Sequence, residues 1–206
     1  MKQQLIDLNR WVIEREAEEK LIISQRDNLI SKVNQITKLI KKIEQARDIV
    51  NIVLQNTQQQ IKSFIEEVVT LALSAVYGDE YAFELEYIVK RNQSEANLWI
   101  VRNGIRFSPK EEVGGGINDV TSFALRLANW ALMSPRPAGV FILDEPTKFL
   151  SVDLQPRFGE LLKEVKNLLD VQIIISTHSE QLVIEGDKKY GVKLDKEESI
   201  VTEIGE

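Results

Sequence analysis

Apolar residues recur along the first sixty positions of the chain with the spacing of a heptad repeat. This stretch contains no glycine and no proline, and its apolar positions follow one another at alternating intervals of three and four. A repeat of this period predicts a left-handed coiled coil over residues 1–60. One core position holds Leu8, Ile22, Leu29, Ile36, Ile43 and Val50, and the other holds Leu5, Val12, Val33, Ile40 and Leu54.

Polar residues interrupt this seam, where they weaken a coiled coil but can fix its register. The alternative is a single long helix that packs on its own domain. About 50 helical residues span roughly 75 Å, which exceeds the width of a small domain, so we favour the coiled coil. It needs a second strand from another helix. The interruptions are Arg15, Glu19, Arg26 and Arg47.

The pattern changes after residue 60, and residues 61–206 predict a mixed α/β domain. Helical spacing is found in Phe64–Val76 and Asn118–Met133. A meander of strands is predicted between these helices, with turns at Asn92–Asn97 and Asn103-Gly104, and two short strands are predicted to close the domain. The meander strands are Tyr81–Lys90, Leu98–Val101 and Ile105–Phe107, and the closing strands are Tyr190–Leu194 and Ser199–Ile204.

The segment from Val140 to His178 carries the candidate chemistry. An apolar strand, Val140–Leu143, ends at Asp144 and Glu145, and a second, Val171–Ile175, ends in Ser176-Thr177-His178. The helical pattern of Leu154–Leu169 between them predicts a parallel crossover, which places both strand ends side by side. Paired acids at the carboxyl edge of such a sheet are typical of magnesium and phosphate sites. We therefore expect Asp144, Glu145 and His178 at one edge.

Composition places few limits on function. The chain has no cysteine, no apolar run long enough to span a membrane and no signal-type segment, which together predict a cytoplasmic protein. Residues 1–60 carry ten Lys or Arg and eight Asp or Glu, whereas residues 61–206 carry sixteen and twenty-four. The α/β part therefore lacks the broad basic surface that non-specific binding of nucleic acid requires.

Four segments of the α/β part resemble motifs of ATP-binding-cassette ATPase heads of the SMC and SbcC type. Phe141-Ile142-Leu143-Asp144-Glu145-Pro146 resembles the Walker B motif, and Leu150-Ser151-Val152-Asp153 resembles the D-loop. Ser176-Thr177-His178-Ser179 resembles the switch-histidine loop. Gly114-Gly115-Gly116, followed by the helix at Phe123–Ala128, resembles the signature motif. The resemblance covers roughly residues 61–206, and the long helix fits the same family.

The resemblance implies an α/β fold, the C-terminal lobe of an ABC-type head with a long coiled-coil helix, and a role for each motif. Asp144 would hold Mg²⁺ near the phosphates of ATP, and Glu145 would orient and polarise the attacking water. His178 would face the γ-phosphate. Asp153 would lie at the contact between two heads. Gly114, Gly115 and Gly116 would touch ATP that is held by the opposite head.

The sequence departs from the family in the glycine run and in the phosphate loop. Gly114 stands where the family has serine, Ile117 replaces glutamate or glutamine, and Asp119 adds a negative charge near the expected phosphate. No glycine is followed by lysine, so the sequence contains no Gly-x-x-x-x-Gly-Lys-Ser/Thr phosphate loop. We expect another polypeptide to supply the phosphate-loop half and the second strand of the coil.

Two classes of function remain open. In the first, the chain is one subunit of a split ATPase that acts on DNA in repair, recombination or end handling; DNA enters through the resemblance alone. In the second, it is a structural or regulatory coiled-coil protein that dimerises through Leu8–Leu54 and carries a degenerate, non-hydrolysing head. A third reading is a piece of a longer ATPase. We expect no ATP hydrolysis by this chain alone.

Overall fold

The computed structural model describes residues 2–90, 93–195 and 198–205. Its first element is helix α1, Lys2–Tyr77, which joins the two predicted helical segments without a break. The helix ends at Gly78, whose φ of +77° is easily adopted by glycine and whose N–H donates to the carbonyl of Ser74 at 2.8 Å. The chain divides into two units, Met1–Gln58 and Gln59–Glu206.

The first unit consists of helix alone within the described residues. The side chains described between residues 4 and 57 are all exposed, including those at both heptad core positions. Ile36, for example, is 57% exposed and Leu54 is 53% exposed. The predicted helix is confirmed, and pairing into a coiled coil stays a prediction. None of the helices in the described ranges is both long and apolar enough to cross a membrane.

In the second unit, the predicted meander is confirmed as an antiparallel sheet of three strands: β1 (Tyr81–Lys90), β2 (Gln93–Arg102) and β3 (Ile105–Phe107). Asn103 and Gly104 both have positive φ, as a tight hairpin turn between β2 and β3 requires. The predicted turn at Asn92–Asn97 is wrong, because β2 already begins at Gln93; Asn92 itself lies outside the described residues.

Helix α2 (Gly115–Leu132) follows the meander and starts three residues before the predicted Asn118. A parallel crossover comes next, in which β4 (Val140–Asp144), α3 (Gln155–Leu169) and β5 (Gln172–Ser176) confirm the predicted strand, helix and strand. A short helix, α4 (Glu180–Ile184), leads to the antiparallel closing strands β6 (Tyr190–Asp195) and β7 (Glu198–Glu203).

One hydrophobic cluster joins most elements of the second unit. The end of α1, the inner face of the meander, α2, α3 and the inward side of β4 and β5 all contribute to it. Phe158 of α3 is fully buried, and its ring meets that of Phe123 of α2 edge-on, with 5.6 Å between the centroids. The result confirms the expected α/β fold with a long N-terminal helix. Helices α2 and α3 and strand β4, which precede or adjoin the candidate residues, all belong to this core.

Candidate active site

The carboxyl ends of β4 and β5 meet as the sequence predicts. The two strands are parallel, and Asp144, the last residue of β4, lies opposite Ser176, the last residue of β5. One residue further, the N–H of Glu145 donates to the carbonyl of Ser176 at 2.8 Å, so the pairing continues past the end of the strand. The parallel pairing brings the Asp144-Glu145 segment beside the Ser176–Ser179 loop.

Glu145 adopts a backbone conformation that is uncommon for a residue with a side chain. Its φ is +45°, in the left-handed region, and such a conformation costs about 1–3 kcal/mol unless its surroundings hold it. Here the N–H of Glu145 is held by Ser176. Proline follows at 146 and ends the strand pairing. The turn holds the carboxylate of Glu145 at the sheet edge, and strain of this kind is a pointer to function.

The Glu145 carboxylate faces the histidine loop. Its Oε2 accepts a hydrogen bond of 3.4 Å from the hydroxyl of Thr177, and its Oε1 lies 3.8 Å from Nε2 of His178. The glutamate side chain is 30% exposed, whereas the imidazole is fully exposed. The structure therefore brings the predicted pair Glu145 and His178 together at one edge, with the imidazole open to a ligand from outside.

An open cleft of about 400 Å³ lies between the two loops. Carboxylate, imidazole, hydroxyl, amide and ammonium groups all reach its walls, and both Glu145 and His178 line it. Such a mixture of polar groups suits a charged, hydrated ligand better than an apolar one. The lining residues are Glu145, Thr147, Lys148, Val152, Gln155, His178, Ser179, Glu180 and Gln181.

Asp144 is exposed at the end of β4, as a single carboxylate ligand for Mg²⁺ would be. Across the described ranges, no group of three His, Cys, Asp or Glu side chains is arranged to hold a metal ion by itself. Magnesium often takes only one or two protein carboxylates and completes its shell with water and substrate phosphates. Asp144 therefore fits a magnesium site that is formed together with nucleotide phosphates, and does not fit a site built from protein ligands alone.

The glycine run forms the start of α2. Gly114 is the N-cap residue, and Gly115 and Gly116 belong to the first turn. A Cβ at position 116 would stand 2.8 Å from Oη of Tyr77 and 2.9 Å from the carbonyl oxygen of Phe149, and one at 115 would meet the Phe149 side chain at 2.6 Å. Position 114 is open. Close packing therefore requires glycine at 115 and 116, independently of any ligand.

Two further aspartates lie near these segments in the sequence: Asp119 follows the glycine turn, and Asp153 follows the end of β4. The Asp119 carboxylate accepts a hydrogen bond from the N–H of Phe149, and burial raises its pKa although this hydrogen bond lowers it. The carboxylate of Asp119 therefore contacts the backbone N–H of Phe149. Asp153 is exposed in the turn between β4 and α3, two residues after Ser151, whose carbonyl accepts from the N–H of Leu154.

Sequence reasoning missed Gln155 as part of this site, and gave Ser179 no role of its own beyond its place in the segment that resembles the switch-histidine loop. The Gln155 side chain is buried and donates from Nε2 to the carbonyl of Leu150 at 3.1 Å, while its Oε1 accepts from the hydroxyl of Ser179. A signal was present, since Gln155 shares the buried stripe of α3 with Phe158, Leu162 and Val165. A polar residue within an apolar stripe needs a buried partner.

Comparisons with known proteins place this chain beside ATPases. Residues 121–185 match a family model for an AAA domain, whose description also names AbiEii toxin and the type IV toxin–antitoxin system. The DNA double-strand break repair Rad50 ATPase of Methanosarcina mazei is 23% identical over 201 residues, which cover 84% of this chain. The chain spans only 19% of that relative's length.

Solved structures of SMC heads have a similar fold. The Smc head domain of Pyrococcus yayanosii, with a coiled coil and joint, superimposes with a TM-score of 0.59 at 20% identity and covers 94% of this chain and 35% of its own. An SMC ATPase structure described for ATP-driven dimerization gives 0.58 at 18% identity, over 73% of this chain and 89% of its own. The chain has the fold of an SMC/Rad50-like ATPase head.

A third similar structure also carries a coiled coil. The Smc head domain of Pyrococcus furiosus, with an extended coiled coil and bound to the C-terminal domain of ScpA, gives a TM-score of 0.56 at 19% identity. It covers 88% of this chain and 43% of its own. At this level of identity the likeness concerns the fold alone, and the chemistry of the candidate site has to be argued from the residues of this chain.

Proposed function

We propose that the chain is the C-terminal half of an SMC/SbcC-like ATPase head, which a phosphate-loop half on another chain completes for ATP hydrolysis. The observation that carries the proposal is the 3.8 Å approach of Glu145 Oε1 to His178 Nε2 beside Asp144, at the joined ends of two parallel strands. Phosphoryl transfer needs a group that orients the nucleophile and groups that stabilise charge on the phosphate. This edge offers both.

Each side chain takes a separate part in the proposed reaction. Glu145 accepts a proton from, and orients, the attacking water. His178 donates a hydrogen bond to the γ-phosphate, for which its fully exposed ring is free. Asp144 would hold Mg²⁺, which would neutralise charge on the phosphates. The lysine and backbone donors of a phosphate loop are the parts that this sequence does not contain.

One face of the β4–β5 sheet exposes apolar side chains, which supports the proposal that a second half covers it. Parallel sheets are normally covered on both faces, yet Val140, Ile142 and Ile174 are 47%, 73% and 47% exposed. Asp144 follows Val140 and Ile142 at alternate positions of β4 and so shares their face. A half that covered this apolar face would also lie next to the proposed magnesium ligand.

DNA repair, recombination or DNA-end handling is the process that we propose for the completed ATPase. The support is the Methanosarcina mazei relative, whose name describes double-strand break repair. The α/β part is acidic, so a DNA surface on the completed particle would need the other half, the coil or a local basic patch. A homodimer of completed heads is part of the same proposal.

A non-hydrolysing coiled-coil protein is the second candidate. The packing of Gly115 and Gly116 against Phe149 favours it, because the glycine run then has a structural reason that needs no nucleotide. Under this reading the helix of residues 1–60 mediates association and the head does not turn over ATP.

The test is an ATPase assay of the chain alone and of the chain co-expressed with the phosphate-loop half of an SMC or Rad50-like head from the same genome. We expect no turnover alone, and turnover by the complex that Glu145→Gln abolishes and Glu160→Gln, an exposed glutamate of α3, leaves unchanged. A complex that binds ATP but never hydrolyses it would support the second candidate. Turnover by the chain alone that is lost in Glu145→Gln would overturn the need for another half.

A further inference from the structure

Hydrogen bonds connect the turn after β4 to the histidine loop through the side chain of Gln155. The amide of Gln155 donates to the carbonyl of Leu150 at 3.1 Å and accepts from the hydroxyl of Ser179. The Ser179 hydroxyl in turn accepts from the N–H of Leu182 at 3.2 Å, which caps α4. The Gln155 side chain is only 9% exposed, so each of these bonds is worth more than one at the surface.

The same series continues to the candidate glutamate. The N–H of Ser179 donates to the hydroxyl of Thr177 at 3.1 Å, and that hydroxyl donates to Glu145 at 3.4 Å. Both hydroxyls therefore donate once and accept once, and the amide of Gln155 does the same. His178 lies between these two hydrogen-bonded residues. It makes no hydrogen bond of its own within the described part of the chain, and its ring is fully exposed.

We propose that Gln155 is a positioning residue, which holds the His178 loop against the Glu145 edge from the turn that contains Asp153. The inference rests on the proposed function, because position matters to rate only if Glu145 and His178 act on ATP. Gln155 itself touches no reacting atom. Its effect is geometric: a displacement of about 1 Å between catalytic groups can cost about 100-fold in rate.

Two variants of Gln155 compare the loss of both amide hydrogen bonds with the loss of the donor alone. Gln155→Leu removes both hydrogen bonds at similar size and leaves the Leu150 carbonyl and the Ser179 hydroxyl without this partner. Gln155→Glu keeps an acceptor for Ser179 but loses the donor to Leu150. Gln172→Leu is the matched control, because Gln172 is an exposed glutamine of β5. Ser179→Ala breaks the series from the opposite side, and serves if Gln155→Leu fails to fold.

His178 is the only histidine in the chain, so its imidazole gives one set of ring C–H signals in NMR spectra of the full chain. We expect these signals to shift or broaden in Gln155→Leu and Ser179→Ala, to change less in Gln155→Glu, and to stay unchanged in Gln172→Leu. This measurement uses no nucleotide and therefore does not depend on the proposed ATPase. Unchanged signals in both Gln155→Leu and Ser179→Ala would overturn the positioning role.

The second readout is the ATPase of the completed head. We expect Gln155→Leu to lower kcat about 10- to 100-fold with little change in KM for ATP, and Gln155→Glu to restore part of the rate. An unchanged kcat together with altered His178 signals would overturn the link to catalysis. If the unaltered complex hydrolyses no ATP, the proposed function fails, while the NMR result still decides whether Gln155 holds the loop.

Discussion

The carboxylate of Asp119 accepts a hydrogen bond of 3.1 Å from the N–H of Phe149. This bond ties the first turns of α2 to the segment after β4, across thirty residues of sequence. Gly115 and Gly116 lie at the same contact, where their missing side chains let Phe149 and Leu150 approach. The glycine run thus has a packing function that can be separated from its proposed contact with nucleotide.

Gly116→Ala should destabilise the fold, because two of the three atoms nearest its new Cβ, the Phe149 oxygen and Leu150 Cα, are backbone atoms that cannot move away cheaply. We expect a loss of about 1–3 kcal/mol in the free energy of unfolding, measured by urea denaturation. Gly114→Ala is the control, since nothing lies within 4 Å of its Cβ and its φ of −65° suits alanine. Equal stability of both variants would contradict the packing role.

Gly114→Ala also tests the nucleotide contact that the family resemblance implies for the glycine run. Because the substitution is expected to leave stability unchanged, a weaker ATP-dependent association of completed heads would point to position 114 as a ligand contact. The measurement is sedimentation of the complex with and without ATP, with Glu145→Gln in both samples to prevent hydrolysis. Unaltered association would favour the reading in which the glycine run serves packing alone.

Tyr77, the last residue of α1, should make stability depend on alkaline pH. Burial, and then the charges of Tyr81 and Asp119, raise the pKa of Tyr77 from 10.0 to about 12. The folded chain therefore holds this proton more tightly than the unfolded chain, and the resulting stability is complete below pH 10 and is lost as the pH rises to about 12.

The measurement is urea denaturation across this pH range for the unaltered chain and Tyr77→Phe. We expect the unaltered chain to lose more stability on going from pH 10 to pH 12 than Tyr77→Phe does. Tyr190→Phe is the control, because Tyr190 is an exposed residue of β6. Identical pH profiles for all three proteins would show that Tyr77 titrates normally in the fold.

The sequence predicts β4, α3 and β5 well because their local signals agree. Apolar runs mark the two strands, with Gln172 as the one polar residue within them. A stripe with helical spacing lies between the runs, so the meeting of Glu145 and His178 follows from the handedness and length of the crossover. The meander was predictable for the same reason over most of its length, since apolar and polar residues alternate through the middle of Tyr81–Lys90.

The failures occur where a long-range contact decides the structure. Glycine is a poor helix former, so the start of α2 at Gly115 depends on packing against Phe149, thirty-four residues away in sequence. Strand β2 extends back to Gln93 because β1 offers it a partner, although its first residues are polar. Gln155 could be seen as unusual in its stripe, but its partners Leu150 and Ser179 could not be named without the fold.

Thr70 should stabilise the outer edge of β1 by accepting a hydrogen bond from it. The N–H of Phe83 in β1 has no strand partner on that side and donates instead to the hydroxyl of Thr70 in α1 at 3.0 Å. Thr70→Val keeps the shape and removes the acceptor, so we expect a loss of about 1 kcal/mol and faster hydrogen exchange at the Phe83 amide. Thr57→Val is the control, since the Thr57 hydroxyl bonds only the Val53 carbonyl within exposed helix.

The heptad seam of residues 1–60 should drive association of the chain. Ile36 occupies a core position of the repeat and is 57% exposed, whereas Ser31 lies on the opposite side of the same helix. A lysine at the seam places a charge where two helices would bury apolar surface, so Ile36→Lys should lower self-association in sedimentation experiments by at least about tenfold in dissociation constant. Ser31→Lys adds the same charge outside the seam and should leave association unchanged. Association that is equally weakened by both lysines would indicate a general effect of charge, and association that neither variant changes would place the contact outside this seam.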